Sequence, residues 1–150
     1  MTERIRRGDI PGVQLRCRQL LEIDVEEAWR LLIEPSGLTQ WLCEQAELDP
    51  VAGGAFAWHG VRGLEPGVAE QGTVMAIDPP DVCLLSLAQP GWSAATRVEW
   101  RLSRQQQGCE LSVLQNGFEH LPLSHSLTVW EQYRRRWRAA LERLAAARRP

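Results

Sequence analysis

The sequence contains no lysine: all 17 of its basic residues are arginine. A side-chain Schiff base needs an amine that can lose its proton, and a guanidinium does not do so in proteins, so lysine-dependent aldol or amine chemistry is excluded. No apolar run approaches the roughly 18 residues of a membrane span, and the opening MTERIRRGDIPG has no apolar segment of the kind a secretory signal requires. The expected location is therefore the cytoplasm, without membrane insertion. The four cysteines, Cys17, Cys43, Cys83 and Cys109, are scattered, form no CxxC pair and sit in apolar or strand-like stretches. That distribution favours separate reduced thiols over a zinc site or a disulfide framework. His59, His120 and His125 lack the spacing of a metal site, no Ser-His-Asp or Cys-His order stands out, and Gly53-Gly54 lacks the frame of a phosphate-cradling loop. No cofactor is expected. A formal net charge of -2 gives no global pull toward nucleic acid or anionic lipid.

What is present fits one ordinary domain. A chain of 150 residues can bury roughly two-thirds of its surface without staples, and 44% hydrophobic with 24% charged content is near the globular average. The dominant stretch is LTVWEQYRRRWRAALERLAAARR, residues 127–149, in which Trp130, Tyr133, Trp137, Ala140, Leu141 and Leu144 recur in steps of three and four. That spacing predicts an amphipathic helix with one buried stripe. Glu131 with Arg135, and Arg138 with Glu142, sit four apart as surface ion pairs would. The arginines of RRRWR, residues 134–138, spread around the wheel and have these glutamates to pair with, so the run reads as a solvated face rather than a nucleic-acid, phosphate or membrane patch.

Most of the rest reads as strands. Residues 1–12 are expected to form a flexible lead-in ending at Pro11-Gly12, and residues 13–149 one domain. Residues 13–23 alternate as a half-buried strand. An Asp24 N-cap with Glu26 and Glu27 then opens a helix that Pro35 stops, and Ser36 can cap a second short helix through Leu42. Strand patterns follow around Phe56 and Trp58, at 72–77, at 82–87, at 96–102, where Thr96, Val98, Trp100 and Leu102 face one side, and from Cys109 to Gln115. GVRGLEPG, residues 60–67, reads as a loop, and NGFEHLPLSHS, residues 116–126, as a long connection. Short hairpin links make the sheet antiparallel. A curved sheet closing on the last helix is the economical way to bury these aromatics, which gives an α+β fold.

The segment VEEAWRLLIEPSGLTQWL, followed in order by GGAF, GTVMAIDPPDVCLLSL, GCELSVLQNGF and WRAALERLA, resembles the activator of heat shock protein 90 ATPase homologues of the START-like (SRPBCC) superfamily, over almost all of residues 13–147. The resemblance implies a helix-grip fold: a curved antiparallel sheet wrapped around a long C-terminal helix, with an apolar cavity often left between them. It implies binding of a hydrophobic small molecule as a role, or contact with a chaperone, or cyclase or hydrolase chemistry in the same cavity. The eukaryotic activators carry a further N-terminal domain for which this chain is expected to have no room, which places ligand binding first. The family commonly has Gly-Trp where this chain has Arg136-Trp137, and often a His where it has Gln115.

Phe56, Trp58, Trp100, Trp130, Tyr133, Trp137 and Leu141 are the candidate cavity lining, with a filled core as the competing expectation. Gln115 and Tyr133 are inward polar groups able to orient a ligand carbonyl or hydroxyl, or else to bond their buried surroundings. His120 and His125 are candidates for the cavity mouth, against the plainer reading of solvated loop histidines. No residue is assigned a catalytic or metal-binding role.

Overall fold

The computed structural model describes residues 8–147. Its strands are β1 (Gln14–Leu21), β2 (Gln45–Leu48), β3 (Ala55–His59), β4 (Ala69–Asp78), β5 (Val82–Ala88), β6 (Thr96–Arg104) and β7 (Cys109–Asn116). Helices α1 (Val25–Ile33) and α2 (Pro35–Trp41) follow β1, and a 3₁₀ turn (Phe118–His120) leads into the long helix α3 (Leu123–Ala146). The sheet has seven strands in the order β1-β7-β6-β5-β4-β3-β2, and every pair is antiparallel. This is the expected helix-grip arrangement, with α3 against the inner face of a curved sheet.

Alternation explains which face is the core. On β6, Thr96, Val98, Trp100 and Leu102 are buried while Arg97, Glu99 and Arg101 face outward, and β7 repeats the pattern at Cys109, Leu111, Val113 and Gln115. Curvature has a local cause at β4. A β-carbon on Gly72 would lie 1.6 Å from the Ser86 carbonyl oxygen, so only glycine lets β4 and β5 approach this closely. A register shift between Val74 and Ala76 then bends the same strand.

Several expected boundaries change. Pro35 does not merely stop α1; it is the first residue of α2, where its missing N–H costs nothing, and Glu34 rather than Ser36 is the cap. Strand β2 was not anticipated, since QAEL is short and pairs with β3 alone. Helix α3 begins at Leu123, because the Pro122 carbonyl accepts from the N–H groups of His125 and Ser126. Part of the expected connection is therefore helix. At the other end, Arg148 and Arg149 of the expected helix lie outside the described residues. So do residues 1–7 of the expected lead-in, whereas residues 8–12 fold back on β1: Ile10 and Gln14 exchange backbone hydrogen bonds, and Asp9 Oδ1 accepts from Arg16 N at 2.9 Å. All four cysteines are buried, Cys43, Cys83 and Cys109 as free thiols, and no helix among the described residues is long and apolar enough to cross a membrane.

Candidate functional site

The inward phases of β3 to β7 and the stripe of α3 converge on one aromatic cluster. Trp100 sits 5.7 Å from Trp41, 6.0 Å from Trp58 and 6.2 Å edge-on from Trp137, measured between ring centroids, while Phe56 stacks on Trp58 at 4.3 Å. The eight residues expected to line a cavity, Phe56, Trp58, Trp100, Gln115, Trp130, Tyr133, Trp137 and Leu141, are all buried. Trp58 and Trp137 both meet Trp100, whereas Tyr133 meets Trp92 and Phe118 instead. Two of the polar members bond within the cluster: Trp137 Nε1 donates to Gln115 Oε1 at 2.7 Å, and Gln115 Nε2 donates to Thr96 Oγ1 at 2.9 Å, whereas the buried Trp100 Nε1 has no hydrogen-bond partner among the described residues. Trp130 Nε1 donates to the Gln14 carbonyl at 2.7 Å, which ties α3 to β1.

Beside this cluster lies a charged group that the sequence reading missed. Glu70, on the inner face of β4, is fully buried, and its Oε1 accepts from Trp58 Nε1 at 2.8 Å and from Arg136 Nη2. Its Oε2 accepts the Tyr133 hydroxyl proton. The expectation of a solvated RRRWR face is thus overturned at two positions, since Arg134 and Arg136 are buried. Arg136 lies three residues after Tyr133, on the buried stripe, where a bare cation would be expelled. It is held by Glu70 and by the Trp137 ring, whose centroid is 3.9 Å from the guanidinium carbon. Arg134 in turn donates to Glu131 Oε2 at 3.2 Å, so Arg134 is a partner of that glutamate three residues away. Burial, and then the neighbouring Glu70 carboxylate, push the Tyr133 hydroxyl well above its ordinary pKa, so it stays protonated.

Tyr133, itself fully buried, has further neighbours on the side away from Glu70. Gln89 Nε2 donates to its oxygen at 3.0 Å, and the Trp92 and Phe118 rings stand 5.7 Å and 5.8 Å from its own. Beyond Trp92 is a groove of about 320 Å³ lined by Gly91, Trp92, Ser93, Leu121, Pro122, His125 and Val129. Its wall is mostly apolar. His125 belongs to this wall, in the first turn of α3 rather than in a loop, with Nδ1 3.1 Å from Ser124 Oγ. His120 is not part of the wall; it is exposed, 3.8 Å from Glu119. Trp92 and Gln89 carried no recognisable signal in sequence, because they occupy a turn where periodicity is silent. Among the described residues no group of three or more His, Cys, Asp or Glu could hold a metal ion.

Comparison with known proteins agrees with this architecture. A family model described as Activator of Hsp90 ATPase homolog 1-like protein matches residues 22–148. Protein CV1439 of Chromobacterium violaceum has a similar fold (TM-score 0.71, 21% identity, 89% of this chain and 94% of that one), as does Ms6760 of Mycobacterium smegmatis (0.77, 14%, 93% of each chain). DynU16, from the dynemicin biosynthetic locus, is similar at TM-score 0.74 and 20% identity over 91% of this chain, which spans 47% of DynU16. No curated protein matches the chain.

Proposed function

The chain belongs to the Activator of Hsp90 ATPase homolog 1-like family, and from that premise we propose that it binds a small apolar or amphipathic molecule. The observation that supports this reading is the groove beside Trp92: a mostly apolar, roughly 320 Å³ concavity with Ser93 and His125 in its wall, the combination of greasy wall and few polar groups typical of ligand sites. The site proposed here differs from the sequence-based one. The ligand lies at the rim of the aromatic cluster, against Trp92, Leu121, Pro122, His125 and Val129, rather than among Trp58, Trp100 and Trp137. The buried free thiols of Cys43, Cys83 and Cys109 suit a reducing compartment, so the cytoplasm is the proposed location. Similarity to a protein of a biosynthetic locus makes aromatic natural-product-like compounds reasonable probes alongside fatty acids and sterols.

Titration with such a panel, read by tryptophan fluorescence and thermal melting, tests the proposal. Ligand at 100 times Kd adds about 2.7 kcal/mol, or roughly 5 to 10 °C for a chain of this length. Trp92→Ala should remove the response without unfolding the protein, because Trp92 is only half-buried. No shift with any compound, together with no retained small molecule in native mass spectrometry of protein purified from cells, refutes it.

A second reading, docking on a chaperone of the Hsp90 type, is favoured by Leu123 and Leu127, which stand 92% and 54% exposed one turn apart at the start of α3. Binding to purified Hsp90 that is lost in Leu123→Asp/Leu127→Asp would support that reading.

A further inference from the structure

We infer that the groove selects ligands carrying a hydrogen-bond donor, such as a phenol, alcohol, amine or amide N–H, over ligands of the same shape that offer only lone pairs. This rests on the small-molecule reading above and concerns what its polar contact recognises. The argument is one of hydrogen-bond direction. Trp58 Nε1 and the Arg136 guanidinium can only donate, and both point at Glu70 Oε1. Glu70 is therefore fixed as an acceptor, and Tyr133 must spend its single proton on Glu70 Oε2. The raised pKa of Tyr133 keeps that proton in place. Only lone pairs remain on the other side of the buried Tyr133 oxygen, which Gln89 covers with its NH₂ end at 3.0 Å, so a groove ligand reaches that oxygen by displacing the Gln89 side chain. Direction is thus set through the whole relay from Arg136 and Trp58 to Gln89.

Gln89 belongs to the same turn as the groove wall, since its carbonyl accepts from Trp92 N at 3.1 Å, and it is half-buried where the fixed members of the relay are buried. A planar ligand resting on Trp92 with a hydroxyl or N–H directed inward replaces the Gln89 amide group for group. A ketone, ether or carboxylate in the same place sets lone pairs against lone pairs, leaving an unsatisfied acceptor away from water.

The test compares β-naphthol with its methyl ether by isothermal titration calorimetry at neutral pH. Hydrophobic burial alone favours the more apolar ether, so a preference for the phenol cannot come from partitioning. In Gln89→Ala, where no amide competes, the phenol should bind roughly tenfold tighter than the ether, the worth of one hydrogen bond, and in the wild type by less, because there it exchanges for the Gln89 bond. Gln89→Ala, which removes the competing amide at a half-buried position, should tighten the phenol further and leave the ether unchanged. Tyr133→Phe, checked for folding by circular dichroism, should bring the two affinities together. Equal or reversed affinities in wild type and Gln89→Ala overturn the donor selectivity while leaving small-molecule binding intact. Binding of neither probe to either protein, with the wider panel also silent, overturns both.

Discussion

Replacing Arg136 with methionine isolates the most unexpected feature of the core. The guanidinium is fully buried against Glu70, which is equally inaccessible. Removing one partner of a buried pair leaves the other charge without compensation and costs about 3 to 5 kcal/mol. Trp58 and Tyr133 still donate to Glu70, and the methionine stem still packs on Trp137, so the lower end, about 3 kcal/mol, is expected here. For a chain of this length that corresponds to a drop in Tm of roughly 6 to 12 °C. Urea denaturation followed by tryptophan fluorescence and circular dichroism should show a lower midpoint at unchanged slope. The companion variant Arg136→Met/Glu70→Gln removes both charges yet keeps a carbonyl oxygen for Trp58 and turns an amide N–H toward the Tyr133 oxygen, which can accept it. It should recover most of the loss, since uncharged replacement of a buried pair is often near neutral. A cost below about 0.5 kcal/mol for Arg136→Met, typical of surface substitutions, would mean that the guanidinium is solvated after all. A double variant as unstable as the sum of the singles would mean that the two charges do not interact.

Alkaline pH supplies an independent check. Burial pushes the Cys43 and Cys83 thiols up from 9.0 to about 12 and raises Tyr133 well above 10.0. Between those values the unfolded chain loses protons that the folded chain keeps, so stability is full below about pH 9 and falls as pH rises, by at most about 1.4 kcal/mol per pH unit for each group. Urea midpoints in reductant that are equal at about pH 8 and about pH 10.5 would contradict this. Trp100→Ala should cost about 3 to 5 kcal/mol in the same assay, because the ring is fully buried against Trp41, Trp58 and Trp137, whereas Arg101→Ala on the outer face should cost under about 0.5. A Trp100→Ala midpoint equal to that of Arg101→Ala would put the strand in the opposite phase.

The sheet and the long helix were legible because each repeats a period that elementary geometry fixes. Thr96, Val98, Trp100 and Leu102 occupy one face of a strand whatever precedes them, and Trp130, Tyr133 and Trp137 share one stripe of a helix. Boundaries were legible only where a cap carries a side-chain signal: Asp24 accepts from Glu27 N as expected, while Pro122 and Glu34 cap with backbone geometry alone. The groove was illegible for a different reason. Trp92 and Gln89 sit in a turn, and they meet Tyr133 through a contact 44 residues away along the chain in the case of Gln89.

The ion pair lies between these extremes. Its members are 66 residues apart, and a charge inside RRRWR reads locally as solvated, which is why the sequence reading placed it outside. Yet the stripe itself contains the correction. Arg136 is three residues after Tyr133 and four before Ala140, both buried, so the wheel places it on the inner face and demands an opposite charge there. Continuing the inward phase of β4 backward from Val74 through Gly72 reaches Glu70. The inward positions of β3, β5, β6 and β7 hold aromatics, aliphatics, cysteines, Thr96 and Gln115, and no carboxylate among them. A buried cation on the helix therefore had one strand carboxylate available to it, and matching the two periods against each other, rather than reading each alone, identifies the pair whose carboxylate also accepts the Tyr133 hydroxyl proton.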